Sequence, residues 1–237
     1  MQMNMKLQQN NLTQQFVHSF TDAIVRGQFA TGESIPSEGE IAAMFGISRT
    51  IVREGIREIS SLGLIIKHQG ARSIVAPMKD WDMLNKNLLS TLLGVDEKRA
   101  EIIEGLFSFR LALECQAATE AAKHRTDADL ENMQTQLAVM EKTINEPAQF
   151  LAADSQMHRA IHEASHNIVF LSILKNIRDI MAIARDFTIA QPRGQLHAMQ
   201  QHRDIVRHIM DRNPDGANAA MRHHILWAKE DSQSMQL

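Results

Sequence analysis

A chain of 237 residues with 44% hydrophobic content is long enough for two domains with real cores. Its 25 Lys+Arg against 28 Asp+Glu exclude a uniformly basic nucleic-acid-binding protein, so any such contact must be a local patch. No run of 18 apolar residues occurs, the N-terminus has no signal-peptide stretch, and the lone Cys115 cannot form an internal disulfide. A soluble cytoplasmic protein with no membrane partner is expected, with Cys115 a small buried hydrophobe inside Leu111–Ala118.

The polar residues 1–10 read as a flexible N-terminus, and 11–77 as a first domain. Within it, Ser37 has the character of an N-cap, with Glu38 and Glu40 in the first turn of a short helix. Ile41, Met44 and Phe45 recur at helical spacing and predict one buried face. Gly46 ends that helix, Ile47 plugs the turn, and Ser48 caps a second helix. In this second helix Val52, Ile56 and Ile59 point inward, while Arg49, Arg53 and Arg57 share the opposite face. Three cations four residues apart repel mildly, and a phosphate backbone or a guanine edge would relieve them. Gly63 stops the helix. Leu64–Ile66 and Ile74–Ala76 then read as short strands around a tip containing Lys67, Gln69, Gly70 and Arg72, which makes a basic hairpin, or wing. Between residues 48 and 72, Arg49, Arg53, Arg57, Lys67 and Arg72 face only Glu54 and Glu58, so the basicity is concentrated there.

Pro36-Ser37-Glu38, Ile41-Ala42, Gly46-Ile47-Ser48-Arg49-Thr50, Val52-Arg53-Glu54 and Leu62-Gly63-Leu64-Ile65 together resemble the winged helix-turn-helix signature of the GntR superfamily of bacterial transcription regulators. The resemblance implies that Ser48, Arg49, Thr50 and Arg53 contact double-stranded operator DNA, and that Gln69 and Gly70 reach toward the minor groove. Two positions depart from the pattern. Gly39 stands where several relatives carry a DNA-contacting arginine, and Gly55 replaces the usual alanine at a cost of roughly 1 kcal/mol in helix propensity.

Residues 78–96 read as a linker and connecting helix anchored by Trp81, with Pro77 closing the last strand. Residues 97–232 carry scarcely a strand signal. Helical patterns run over 86–93, 97–123, 127–145, 147–165, 168–190, 195–212 and 214–232, with Asp127 as a cap, Pro147 and Pro214 at first-turn positions, and a break at Pro192 and Gly194. The fold class expected is mainly α: an N-terminal winged helix-turn-helix with a small β-hairpin wing, then an all-helical bundle.

Nine of the eleven histidines fall after residue 120. Asp154 and His158, four apart, place carboxylate and imidazole on one helix face within reach of a single ion. His202 and His224 could complete a cluster. His162 extends the same stripe, and only one of His223 and His224 can face inward; spacing alone does not choose among these. One oxygen and three imidazoles suit zinc best, with nickel or manganese as alternatives.

Asp154-Ser-Gln-Met-His158, Gln201-His202-Arg-Asp-Ile-Val and Ala220-Met-Arg-His-His224 resemble the FadR-type C-terminal effector domain (FCD) of the same superfamily. The resemblance implies Asp154, His158, His202 and His224 as ligands of a divalent metal. It also implies that Arg110, in Phe109-Arg110-Leu-Ala-Leu-Glu114, lines the effector cavity and clamps a carboxylate; the competing reading of Arg110 is a surface ion pair with Glu114. The segment Asp80–Leu89 resembles regulators of sugar-acid catabolism. The function expected is therefore a ligand-switched, homodimeric DNA-binding regulator responding to a small carboxylate of sugar-acid type. Two readings stand beside it: a metal-dependent enzyme on such a carboxylate, which would need a general base that neither nearby Glu163 nor His162 is marked to be, and a regulator with a metal-free effector pocket.

Overall fold

The computed structural model describes residues 8–68, 70–177, 179–180, 182–183 and 192–234. It divides into two compact units, Met1–Arg99 and Ala100–Leu237.

In the first unit, α1 spans Gln8–Val25, beginning inside the stretch read as flexible. Phe16, Phe20 and Ile24, at spacings of four, are at most 3% exposed and form its buried stripe. Helix α2 (Glu38–Phe45) opens on a complete capping box: the Ser37 hydroxyl accepts from the Glu40 amide while the Glu40 carboxylate accepts from the Ser37 amide. Its buried face is narrower than expected. Ile41 is fully buried, but Met44 is 63% exposed, and Phe45 keeps one edge in solvent while packing against the rings of Phe16 and Phe20.

Helix α3 (Arg49–Ser61) is capped by Ser48, whose hydroxyl accepts from Ile51 N at 3.3 Å. Val52, Ile56 and Ile59 are buried against α1. Gly55 has a packing reason that propensity does not reveal. A Cβ there would lie 2.3 Å from Phe16 Cδ1 and 2.6 Å from Cε1, so the glycine admits the α1 ring onto the α3 backbone. After α3 comes the wing, β1 (Ile65–Ile66) antiparallel to β2 (Ile74–Val75), with Ile65 opposite Val75 and Ile66 opposite Ile74. Gly63 joins helix to wing at φ +78°, and the Asp80 carbonyl oxygen stands 2.1 Å from where its Cβ would be, so only glycine fits.

Residues 78–96 hold a 3₁₀ turn (Met78–Asp80), the buried Trp81 and helix α4 (Lys86–Leu93), and group with the first unit. Trp81 Nε1 donates to Ala76 O at 3.0 Å, and Lys98 Nζ sits 5.2 Å above its ring. Asn85 caps α4, and Leu88, Leu89, Leu92 and Leu93 are buried.

The second unit contains, among its described residues, α5 (Asp96–His124, whose first turn belongs to the first unit), α6 (Asp127–Lys142), α7 (Pro147–Glu163), α8 (Ile168–Asn176), α9 (Pro192–Met210) and α10 (Pro214–Ser234). The cap of α6 is Thr126 rather than Asp127, with Asp129 completing the box; the hydroxyl accepts from the Asp129 amide, a geometry that needs the capping residue just outside the helix. Pro192 opens α9 instead of marking a break, as its fixed φ allows at a first helical position. Helix α8 ends at Asn176, and most of the remainder of the expected 168–190 pattern lies outside the described residues. Helix α9 packs on α10, α6 and α7, and α6 on α7. Arginines tie two turns of this bundle together: Arg212 donates to the Lys123 and Arg125 carbonyls at the end of α5, and Arg125 to the Met210 carbonyl at the end of α9.

Candidate functional site

The four residues Asp154, His158, His202 and His224 come together from α7, α9 and α10, each no more than 4% exposed. One ligand atom from each lies within 4.8 Å of all the others. His202 Nε2 is 3.3 Å from His158 Nε2 and 3.5 Å from Asp154 Oδ1, and His158 Nε2 is 3.8 Å from Asp154 Oδ2. The His202 and His224 rings are 4.4 Å apart between centroids.

The outer nitrogens decide which atoms converge. His202 Nδ1 donates to the Ala198 carbonyl at 2.8 Å, and His224 Nδ1 donates to Gln201 Oε1 at 2.9 Å. An oxygen of either kind only accepts, so both Nδ1 atoms carry a proton, and in the neutral imidazole each Nε2 turns a lone pair inward. His158 Nδ1 lies against Glu114 Oε2, giving the third imidazole the same sense. Burial, reinforced by the neighbouring His202 and His158, holds His224 well below the usual histidine range, so it is neutral and able to ligate at neutral pH. With both imidazoles neutral, the His158 and His202 Nε2 lone pairs would oppose one another at 3.3 Å beside the Asp154 carboxylate, and a divalent cation between them would turn that repulsion into coordination. The donor set fits zinc, nickel or manganese.

Arg110, on α5, is 1% exposed, and its Nε donates to Glu114 Oε1 at 2.7 Å. The ion pair weighed from sequence thus exists, but buried rather than on the surface. It uses one donor nitrogen; Nη1 and Nη2 have no hydrogen-bond partner among the described residues. His162, one turn beyond His158, is 9% exposed, with Nε2 3.8 Å from Glu114 Oε2. Other histidines stand apart: His166 bonds Asp129 at 2.7 Å, His197 stacks on Trp227 at 4.4 Å, and His223 is exposed. Sequence spacing missed Glu114 and Gln201 as partners of His158 and His224, because both contacts run between helices; that Gln201 adjoins His202 was the one local cue.

In the first unit, Ser48, Arg49, Thr50 and Arg53 are exposed along the start of α3, and Gly70 is exposed at φ +76° in the wing turn. Gln69 lies outside the described residues. Arg53 Nε is 3.2 Å from Glu38 Oε2, and Arg72 Nη2 is 3.2 Å from Glu40 Oε1, so the start of α2 orients one cation from α3 and one from the wing. Arg49 lies over Gly39, its Nη2 3.1 Å from where a Cβ would be, so the missing side chain leaves room for this arginine.

Among the described residues, no helix is long and apolar enough to cross a membrane. The family model "Bacterial regulatory proteins, gntR family" matches residues 12–75, and the FCD domain model matches residues 105–226. The HTH-type transcriptional repressor NanR of Cronobacter sakazakii is 30% identical over 228 residues, covering 92% of this chain and 84% of that protein. Its Salmonella newport counterpart is 28% identical with the same coverage. Among solved structures, Lar, which controls expression of the Listeria monocytogenes agr system, aligns with a TM-score of 0.63 at 15% identity over 94% of this chain and 96% of its own. Streptococcus agalactiae GntR aligns at 0.50 and 22% identity, over 92% of this chain and 99% of its own. At such identities these two speak for the fold. A DNA-binding domain of one model followed by an effector domain of the other, and a repressor aligned along nearly the whole length, place the chain in the GntR family of bacterial regulatory proteins, as a DNA-binding transcription regulator with an FCD effector domain.

Proposed function

We propose that this regulator is a cytoplasmic homodimeric repressor whose FCD domain holds a divalent metal, zinc foremost, on Asp154, His158, His202 and His224, and reads a small carboxylate of sugar-acid type with the help of Arg110. The observation that carries the metal is the convergence of three Nε2 lone pairs and a carboxylate, each imidazole turned by a partner on its far side. When bound, the ion would supply Lewis-acid attraction for an effector's oxygen atoms. The protein's own part is orientation. Arg110 keeps two buried donor nitrogens without partners among the described residues, each costing about 1–3 kcal/mol until an acceptor such as a carboxylate meets them. An effector spanning Arg110 and the cluster would tie α5 to α7, α9 and α10. In a dimer, that tie would bias the separation of the two α3 helices, which must match half-sites about one DNA turn apart. For the output we assign Ser48, Arg49, Thr50, Arg53 and the wing residues Gln69 and Gly70 to operator contact.

The test is thermal unfolding of untagged full-length protein stripped with a chelator and then given zinc, nickel or manganese. A metal at 100 times its Kd stabilises the folded state by roughly 2.7 kcal/mol, and His202→Ala should abolish the shift. No shift with any of the three ions would end the metal assignment. Sugar acids added to the loaded protein should then raise the midpoint further, and less so in Arg110→Gln.

A further inference from the structure

The metal ligands explain neither why Glu114 is buried completely nor why it divides its two oxygens between different partners. Its Oε1 accepts from Arg110 Nε at 2.7 Å, while Oε2 lies against His158 Nδ1 and 3.8 Å from His162 Nε2. A carboxylate carried this deep into a helical bundle is costly unless its charge is compensated, and Arg110 compensates it through one nitrogen while keeping both Nη groups for something else. The outer acceptors of His202 and His224 are neutral oxygens, a backbone carbonyl and a glutamine amide; that of His158 is a carboxylate. A charged acceptor behind an imidazole fixes its tautomer and orientation most firmly and makes the inward nitrogen a stronger donor to a cation.

Building on the metal reading above, we infer that Glu114 is a positioning residue for the cluster: held by Arg110, it dictates that His158 offers Nε2 to the metal, and so sets metal affinity without touching the ion. Arg110, Glu114 and His158 then form one continuous connection from the unsatisfied guanidinium nitrogens to the metal-facing nitrogen. His162, with Nε2 3.8 Å from the same carboxylate oxygen, flanks Glu114 from one turn farther along α7.

The experiment is a competitive zinc titration against a chromophoric chelator, using full-length wild type and Glu114→Gln, together with ¹⁵N NMR of the histidine rings. Glutamine keeps the shape and an acceptor oxygen but removes the charge. Loss of zinc affinity by about 10- to 100-fold in Glu114→Gln is expected, the range typical of outer partners of metal-bound histidines. In metal-free wild type, the His158 resonances should report a single Nδ1–H form, and in Glu114→Gln a mixture of tautomers, a change that a merely space-filling residue would not produce. If Glu114→Gln does not fold, Arg110→Gln/Glu114→Gln removes both buried charges together and takes its place under the same criteria. Equal zinc affinity in wild type and the folded variant, with an unchanged His158 tautomer, would overturn the role of Glu114 and leave the metal assignment standing. Failure of wild type to take up zinc would overturn both.

Discussion

Replacing Gly55 with alanine sets two effects of opposite sign against each other. In an unconstrained helix interior the change is worth about 1 kcal/mol in favour of folding. Here the new methyl would lie 2.3 Å and 2.6 Å from two carbons of the Phe16 ring and 3.4 Å from Val17 Cγ2. Ordinary carbon contacts begin near 3.5 Å, so the ring must withdraw by roughly 1 Å. It has little freedom to do so: Phe16 is 3% exposed and holds Phe20 and Phe45 at centroid distances of 5.5 and 5.1 Å. Overpacking of this kind costs about 1–3 kcal/mol, so the net expectation is destabilisation by about 1 kcal/mol, or roughly 5 °C in the midpoint of the first unit. Urea unfolding of the full-length protein measures it. In a Phe16→Ala background the same Gly55→Ala change should become neutral or stabilising, because the obstructing ring is gone. An increase in stability by about 1 kcal/mol with Phe16 intact would refute the close-approach argument.

Arg49→Ala and Arg53→Ala should each weaken binding to the operator by about 1–3 kcal/mol at fixed salt, with little loss on random DNA; fluorescence anisotropy on both sequences decides it, and undiminished discrimination would remove α3 from the reading surface. Stability should scarcely change, since the Arg53–Glu38 pair is solvent-exposed. Acidification should destabilise the metal-free protein through His224. Burial depresses its folded-state pKa below the ordinary 6.5, so its contribution is complete above about pH 6.5 and declines as pH falls below that value, where the unfolded chain takes up a proton that the folded one refuses. His224→Gln should flatten that decline in urea midpoints between pH 7 and 5; an identical slope would contradict it. Burial also pushes the Cys115 thiol up to about 11, so aromatic disulfide reagents at pH 8 should label it only after unfolding, and rapid labelling of native protein would contradict the packing of α5.

What was legible in the sequence followed from local periodicity. The Ser37 and Ser48 caps, the inward stripe of Val52, Ile56 and Ile59, and the pairing of Asp154 with His158 all depend on residues within a turn or two of one another. Periodicity fixes a face but not what meets it. It therefore priced Gly55 as a loss of propensity, when the deciding neighbour is a ring on another helix. It likewise gave Met44 to the core because it shares a spacing with Ile41, although only Ile41 meets a neighbour that covers it. The same gap hid the role of Glu114. Four residues from Arg110, it read as half of a surface pair, and nothing local indicates that α5 turns it toward His158 on α7.

The chain has no tyrosine and only two tryptophans, one in each compact unit: Trp81 beneath the wing and Trp227 stacked on His197. Its near-ultraviolet emission therefore arises from one reporter per unit. Trp81→Phe and Trp227→Phe variants would each leave a single reporter, so changes in the first unit and changes in the second can be timed separately without an added label. The order in which a message crosses the protein would then follow from comparing the kinetics of the two single-tryptophan variants.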